Sequence, residues 1–231
     1  MKRLKLFNLL LLVAMAWGSV ACSNDDDPSE GMGGGAGEGV CSVEGRSISY
    51  NRGYFYREPY GPEPSIELIF SDYDVKTLPD KIVNALFMTV TTNENTLPAG
   101  TFSYSNSDEE LNAWSYVEAY DFNPGRDIDG GDGLPNTTYL YVSDWNPGYE
   151  SGNMTVTRNG NFYRIEINDM KLVKDTNVNE DDGVTPDDPK TAATFVWEGE
   201  LEDITDWMNE EEYSRSFSQR MSFARSMHVV K

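Results

Sequence analysis

The chain has 231 residues, 39% of them hydrophobic, with 39 acids against 18 bases and a net charge of −21. That length fits one domain or two small ones, and an aromatic share of 12% argues against wholesale disorder. The acidity repels phosphate backbones, which argues against nucleic acid as a partner. The lone histidine, His228, argues against His-based zinc sites and a histidine-dependent triad.

Lys2, Arg3 and Lys5 open the chain, and Leu9 to Trp17 (LLLLVAMAW) is an apolar run of nine residues. Such a run is too short for a hydrocarbon layer of about 30 Å. Gly18, Ser19 and Ala21 follow, so residues 1–21 are expected to be a secretory signal peptide. Cleavage after Ala21 by a general signal peptidase is one outcome. Lipidation is the other. Ser19-Val20-Ala21-Cys22 resembles the lipobox of bacterial lipoproteins, whose cysteine is acylated and becomes the first mature residue. Ser19 departs from the Leu, Val or Ile usual at its position. Ser23 to Asp27 (SNDDD) resembles the acidic surface-export signal of Bacteroidota lipoproteins, which favours lipidation over a merely solubilising stretch. The resemblance implies a lipid anchor at Cys22, attachment to the outer membrane and exposure at the cell surface. Loss of the three signal-peptide bases takes the net charge to about −24.

Residues 22–41 are expected to form the lipidated N-terminus and a tether, because SNDDDPSEGMGGGAGEGV is polar, acidic and Gly-rich without periodicity. With Cys22 acylated, Cys41 has no disulfide partner and is expected to be a small buried apolar residue. A β-domain is expected over residues 42–203. Period-two runs broken by Gly, Pro, Asn and Asp place strands at Arg46–Tyr56, Ser65–Tyr73, Asn84–Thr92, Gly100–Tyr104, Ala113–Phe122, Thr137–Trp145 and Thr191–Leu201. Asn159-Gly160 predicts a type I′ hairpin turn, with Arg158 opposite Asn161, Val156 opposite Tyr163 and Met154 opposite Ile165. One face then collects Met154, Val156, Tyr163, Ile165 and Ile167, and the other Thr155, Thr157, Phe162, Arg164 and Glu166. A parity slip near Asn168-Asp169 predicts a bulge or a turn. Residues 204–231 are expected to be a helical or irregular tail, with Tyr213, Phe217, Met221 and Ala224 at helical spacing and a terminal strand as the rival. The pattern implies an all-β fold, either a single antiparallel β-sandwich or a flattened lipocalin-like barrel. LPAGTFSYSN, the hairpin and TFVWEGEL also resemble modules of Bacteroidota surface lipoproteins, to which no activity attaches.

Two segments echo each other: YVEAYDFNPG (116–125) and YLYVSDWNPG (139–148). Each ends in Asp-aromatic-Asn-Pro-Gly, which suits a type II turn. Trp114, Tyr116, Glu118, Tyr120 and Phe122 alternate onto one face, and Tyr139, Tyr141 and Trp145 onto one face of the second strand. Paired, these sides could merge into an aromatic platform edged by Asp121 and Asp144, which suits carbohydrate. The plainer expectation is that this aromatic face is core. The loops 127–133 (DIDGGDG) and 175–183 (DTNVNEDDG) cluster oxygen ligands but miss the EF-hand pattern, so solvated acidic loops are expected over a structural calcium, and no cofactor is. Glu109, Glu110, Glu118, Glu198, Glu200 and Glu202 are eligible for carboxylate-pair hydrolysis, but none is singled out by spacing. The expectation is a non-enzymatic, lipid-anchored surface protein that binds a glycan or an envelope or host protein. A structural or adhesin-like subunit of a surface assembly comes second, and a small two-carboxylate glycoside hydrolase third.

Overall fold

Strand order decides between sandwich and barrel. A computed structural model describes residues 34–58, 63–77, 81–106, 110–122, 140–143, 150–174 and 189–209. Its strands are β1 (Gly35–Val43), β2 (Arg46–Glu58), β3 (Ser65–Ser71), β4 (Val83–Thr91), β5 (Gly100–Tyr104) and β6 (Ala113–Phe122). They continue as β7 (Leu140–Val142), β8 (Met154–Asn159), β9 (Phe162–Lys174), β10 (Lys190–Glu200) and β11 (Glu202–Asp203), with one short helix, α1 (Thr205–Asn209). Nine strands close into a ring in the order β1-β10-β9-β8-β5-β6-β4-β3-β2, sealed by the pairing of β1 with β2. The fold is therefore an all-β barrel. Pairs around the ring are antiparallel except β5 with β6. Closure removes the open edges that a sheet would otherwise expose. β7 bridges β6 and β9 beyond the ends of β5 and β8, and β11 runs parallel to β2.

β1 occupies residues where a tether is expected to continue through Cys41. Its glycines carry no hydrophobic alternation, so the segment looks like linker in one dimension. In space they make room for the Trp197 indole. A Cβ on Gly39 would lie 2.8 Å from Trp197 Cε3, and one on Gly53 of β2 would lie 2.6 Å from its Cζ2. The expected signal peptide and Cys22 lie outside the described residues. β1 turns into β2 through Glu44 (φ 49°) and Gly45 (φ 75°), the paired positive values of a type I′ turn.

The hairpin β8–β9 forms as expected, with its register shifted by two. Asn159 pairs with Phe162, Arg158 with Tyr163, and Val156 with Ile165. Gly160 (φ 63°) takes the first loop position and is the only member of its two-residue loop with positive φ, as in a type II′ turn. A slip of two leaves each side chain on its expected face. Met154, Val156, Tyr163, Ile165 and Ile167 are all buried. The expected bulge is at Asn168-Asp169, where β9 gains one residue against β10.

Side chains fill the described interior. Tyr50, Phe195, Phe70 and Trp197 form a chain of rings from β2 to β10 and β3, with centroids 6.4, 4.8 and 5.1 Å apart in turn. Outside the wall of β2, β3, β4 and β6 lies a second buried cluster that includes Tyr54, Ile69, Phe87, Tyr120, Ile204 and Met208. α1 supplies Met208 to it, and its start is fixed by Asp203 Oδ1, which accepts from the Thr205 amide at 2.9 Å. The remainder of the expected tail, 210–231, lies outside the described residues.

Cys41 is fully buried inside the barrel, and burial pushes its thiol pKa up to about 12. The thiolate, not the thiol, is the nucleophile. In a Cys22→Ser chain, a maleimide is expected to leave Cys41 unmodified at neutral pH and to label it fully in denaturant. Rapid labelling of the native protein would contradict the burial.

Candidate functional site

Among the described residues, the aromatic side chains of the expected platform do not share one face. β6 and β7 do pair, with Ala119 opposite Tyr141 and Glu118 opposite Val142. However, β6 carries an extra residue at Tyr116 against β4: Met88 pairs with Val117, and Thr89 with Ser115. This bulge reverses the parity of the strand. Trp114 joins Val117 and Ala119 in the interior cluster, whereas Tyr120 belongs to the outer one. Trp114 is fully buried, donates Nε1–H to the Gly152 carbonyl at 3.0 Å and meets Tyr104 edge-on at 4.9 Å. Tyr120 stacks on Phe87 at 5.8 Å. Tyr141 is fully buried inside, and its hydroxyl donates to Glu44 Oε2 at 2.8 Å. Asp121 is buried in the wall. Tyr139, Asp144 and Trp145 lie outside the described residues, as do both acidic loops and both Asn-Pro-Gly turns.

A cleft of about 510 Å³ opens at the end of the barrel formed by the start of β1, the β8–β9 turn and the end of β10. Its lining includes Gly35, Phe55, Thr96, Arg158, Asn161, Tyr163, Leu201, Glu202 and Asp203. Barrel mouths are preferred sites for small ligands. The residue that distinguishes this one is Arg158. Its partner across the ladder, Tyr163, belongs to the interior cluster, so Arg158 sits on the inward stripe of β8 after Met154 and Val156. At this last inward position Arg158 is exposed, and its charge lies in the mouth. The guanidinium lies 5.1 Å over the Tyr163 ring. Its Nε donates to the Gly160 carbonyl and its Nη1 to Thr96 Oγ1, each at 2.7 Å. Arg57 repeats the placement on β2: it pairs with inward-facing Ile66, and its Nη1 donates to Asn95 Oδ1. Both arginines thus grip neighbouring residues of the β4–β5 connection.

The other side of the mouth is acidic. Glu202 Oε1 accepts from Lys76 Nζ at 2.6 Å, and its Oε2 accepts from the Gly34 amide. Asp203 is held by Thr205, and Glu200 also lines the cleft. Burial raises the Tyr163 hydroxyl pKa, while the Arg158 charge opposes that rise. At the far end of the barrel, Glu44 accepts from Tyr141, and this bond holds the Glu44 pKa below its usual range.

A second groove of about 790 Å³ runs outside the wall, lined by Ser47, Ser49, Asn51, Asp72 and Asn84 among others. There Asp72 and Asn84 already satisfy one another through two bonds, of 2.9 and 2.6 Å. The mouth has the more convergent polar set. Among the described residues, no three His, Cys, Asp or Glu side chains gather in a group able to hold a metal ion. Of the carboxylates eligible for hydrolysis, Glu118 is buried in the wall, and Glu198 is paired with Arg164 on the outer face.

Sequence reasoning missed Arg158 as a site residue although either register puts it on the inward face; the expected register hid only its contact with Tyr163, which it set against Val156. The available signal was a cation continuing an apolar inward stripe.

Fold and site together define an all-β closed barrel with a filled interior and a charged mouth. No protein-family model matches the chain, and no curated protein or solved structure matches it.

Proposed function

We propose that the chain is a non-enzymatic, lipid-anchored binding protein of the bacterial outer surface that captures a glycan at the barrel mouth. The mouth cleft carries this reading: with the interior filled, it offers converging polar groups over an apolar floor of Phe55 and Leu201. The signal-peptide pattern and the acidic run after Cys22 support the anchor. Among the described residues, no helix is long and apolar enough to cross a membrane. Twelve residues separate Cys22 from Gly35. Fully extended they reach at most about 40 Å, and β1 begins at the mouth end. Ring closure disfavours the adhesin-like alternative, since no long described strand is left open for strand addition.

Two measurements test the proposal. Cys22→Ser is expected to move the protein from the membrane to the soluble fraction; continued membrane attachment would overturn the anchor. On a glycan array, the full chain is expected to bind. Asn161→Trp, which obstructs the mouth, should abolish that binding, and Ser49→Trp in the wall groove should leave it intact. No binding at all, or sensitivity to the wall variant alone, sinks the mouth as a glycan site.

A further inference from the structure

We infer that the mouth cleft takes a saccharide end bearing one carboxylate, with that carboxylate on the guanidinium of Arg158. This deepens the glycan reading and rests on it.

The two sides of the cleft have opposite chemistry. On one side Arg158 is fixed before any ligand arrives, by the Gly160 carbonyl, Thr96 and the ring of Tyr163. These contacts use Nε and Nη1. Among the described residues Nη2 has no acceptor, so donors remain for a planar anion. A guanidinium fork fits a carboxylate through two parallel bonds, and a held fork loses little freedom on binding. Arg57, at the matching inward position of β2, adds positive potential to the same end.

The opposite side, Glu200 to Asp203, is rich in acceptors, and ionised carboxylates accept only. Glu202 and Asp203 already accept from Lys76, the Gly34 amide and Thr205, so only the remaining lone pairs of this side are open to a ligand. A bare inorganic anion would satisfy Arg158 but use none of them, and a dianion would be repelled by these carboxylates. A ligand that meets both sides is anionic at one end and carries hydroxyl donors at the other. A uronic-acid ring has that pattern. A net charge of −21 also opposes a long polyanion, which favours a single acidic end over a polyuronate chain.

Isothermal titration of the full-length chain with glucuronic acid, glucose and free glutamate tests the assignment. Glucuronic acid is expected to bind at least about tenfold more tightly than glucose. Arg158→Ala and Arg158→Lys should each bring glucuronic acid down to the level of glucose. Arg158→Lys keeps the charge and the stem but loses the fork, so its unchanged melting temperature would separate recognition from folding. Glucuronic acid and glucose binding equally, with both Arg158 variants silent and Asn161→Trp still blocking, would overturn the carboxylate while leaving the glycan site standing. Glutamate binding more tightly than glucuronic acid would overturn the saccharide. An absence of binding by any sugar, here and on the array, would overturn the glycan reading as well.

Discussion

Trp197→Ala is expected to destabilise the barrel by about 3–5 kcal/mol, the cost of emptying a large buried aromatic site. For a domain of this size that is a fall in melting temperature of roughly 6–20 °C. The indole is fully buried, packs on Phe70 and is surrounded by glycines from three strands. Its Nε1 has no partner among the described residues, so Trp197→Phe should cost less than Trp197→Ala. The glycines supply the sharper test. Gly39→Ala would push a methyl against the indole and should cost about 1–3 kcal/mol by overpacking. In the Trp197→Ala background the clash is gone, and Gly39→Ala should be nearly neutral. Additive costs in this double-mutant cycle, read from urea unfolding, would show that the glycines do not cradle the ring.

Trp114→Ala is expected to be comparably severe, at about 3–5 kcal/mol. It removes a buried indole and also the donor to the Gly152 carbonyl just ahead of β8. A tryptophan on an exposed ligand platform would behave differently: its loss would weaken binding and hardly move the melting temperature. Thermal unfolding beside a glycan-binding assay separates the two. Retained stability with lost binding would contradict the buried position.

Legibility in the sequence follows how local each determinant is. The β8–β9 hairpin was readable because its two faces differ chemically and its turn sits between them. Its register was off by two because Asn159-Gly160 and Gly160-Asn161 are both competent loops, and alternation cannot tell a slip of two from none. β5 and β6 have the bounds expected of them. The inner bulge of β6 had no signal, since Trp114 to Phe122 alternates without a break. Its parity is set by pairing with β4, not by β6 alone. β1 was opaque for a similar reason: the partner that explains its glycines is a tryptophan on β10. The mouth was hidden because it is assembled from segments as distant in sequence as Gly35, Thr96, Arg158 and Glu202, although Arg158 itself stands in plain view after two apolar inward positions.

The seam between β1 and β10 also has a kinetic consequence. Gly37 pairs with Gly199, and Val43 with Ala193, so the ring joins the two ends of the domain. β1 and β2 can form early as a local hairpin, but the barrel stays an open sheet until Lys190–Glu200 has been made. Contacts this distant in sequence close slowly. A chain appearing N-terminus first must therefore wait with two unpaired edges, β1 and β9, and β1 waits the longer. The glycines that later admit Trp197 leave the waiting strand few apolar side chains with which to bind a neighbouring chain.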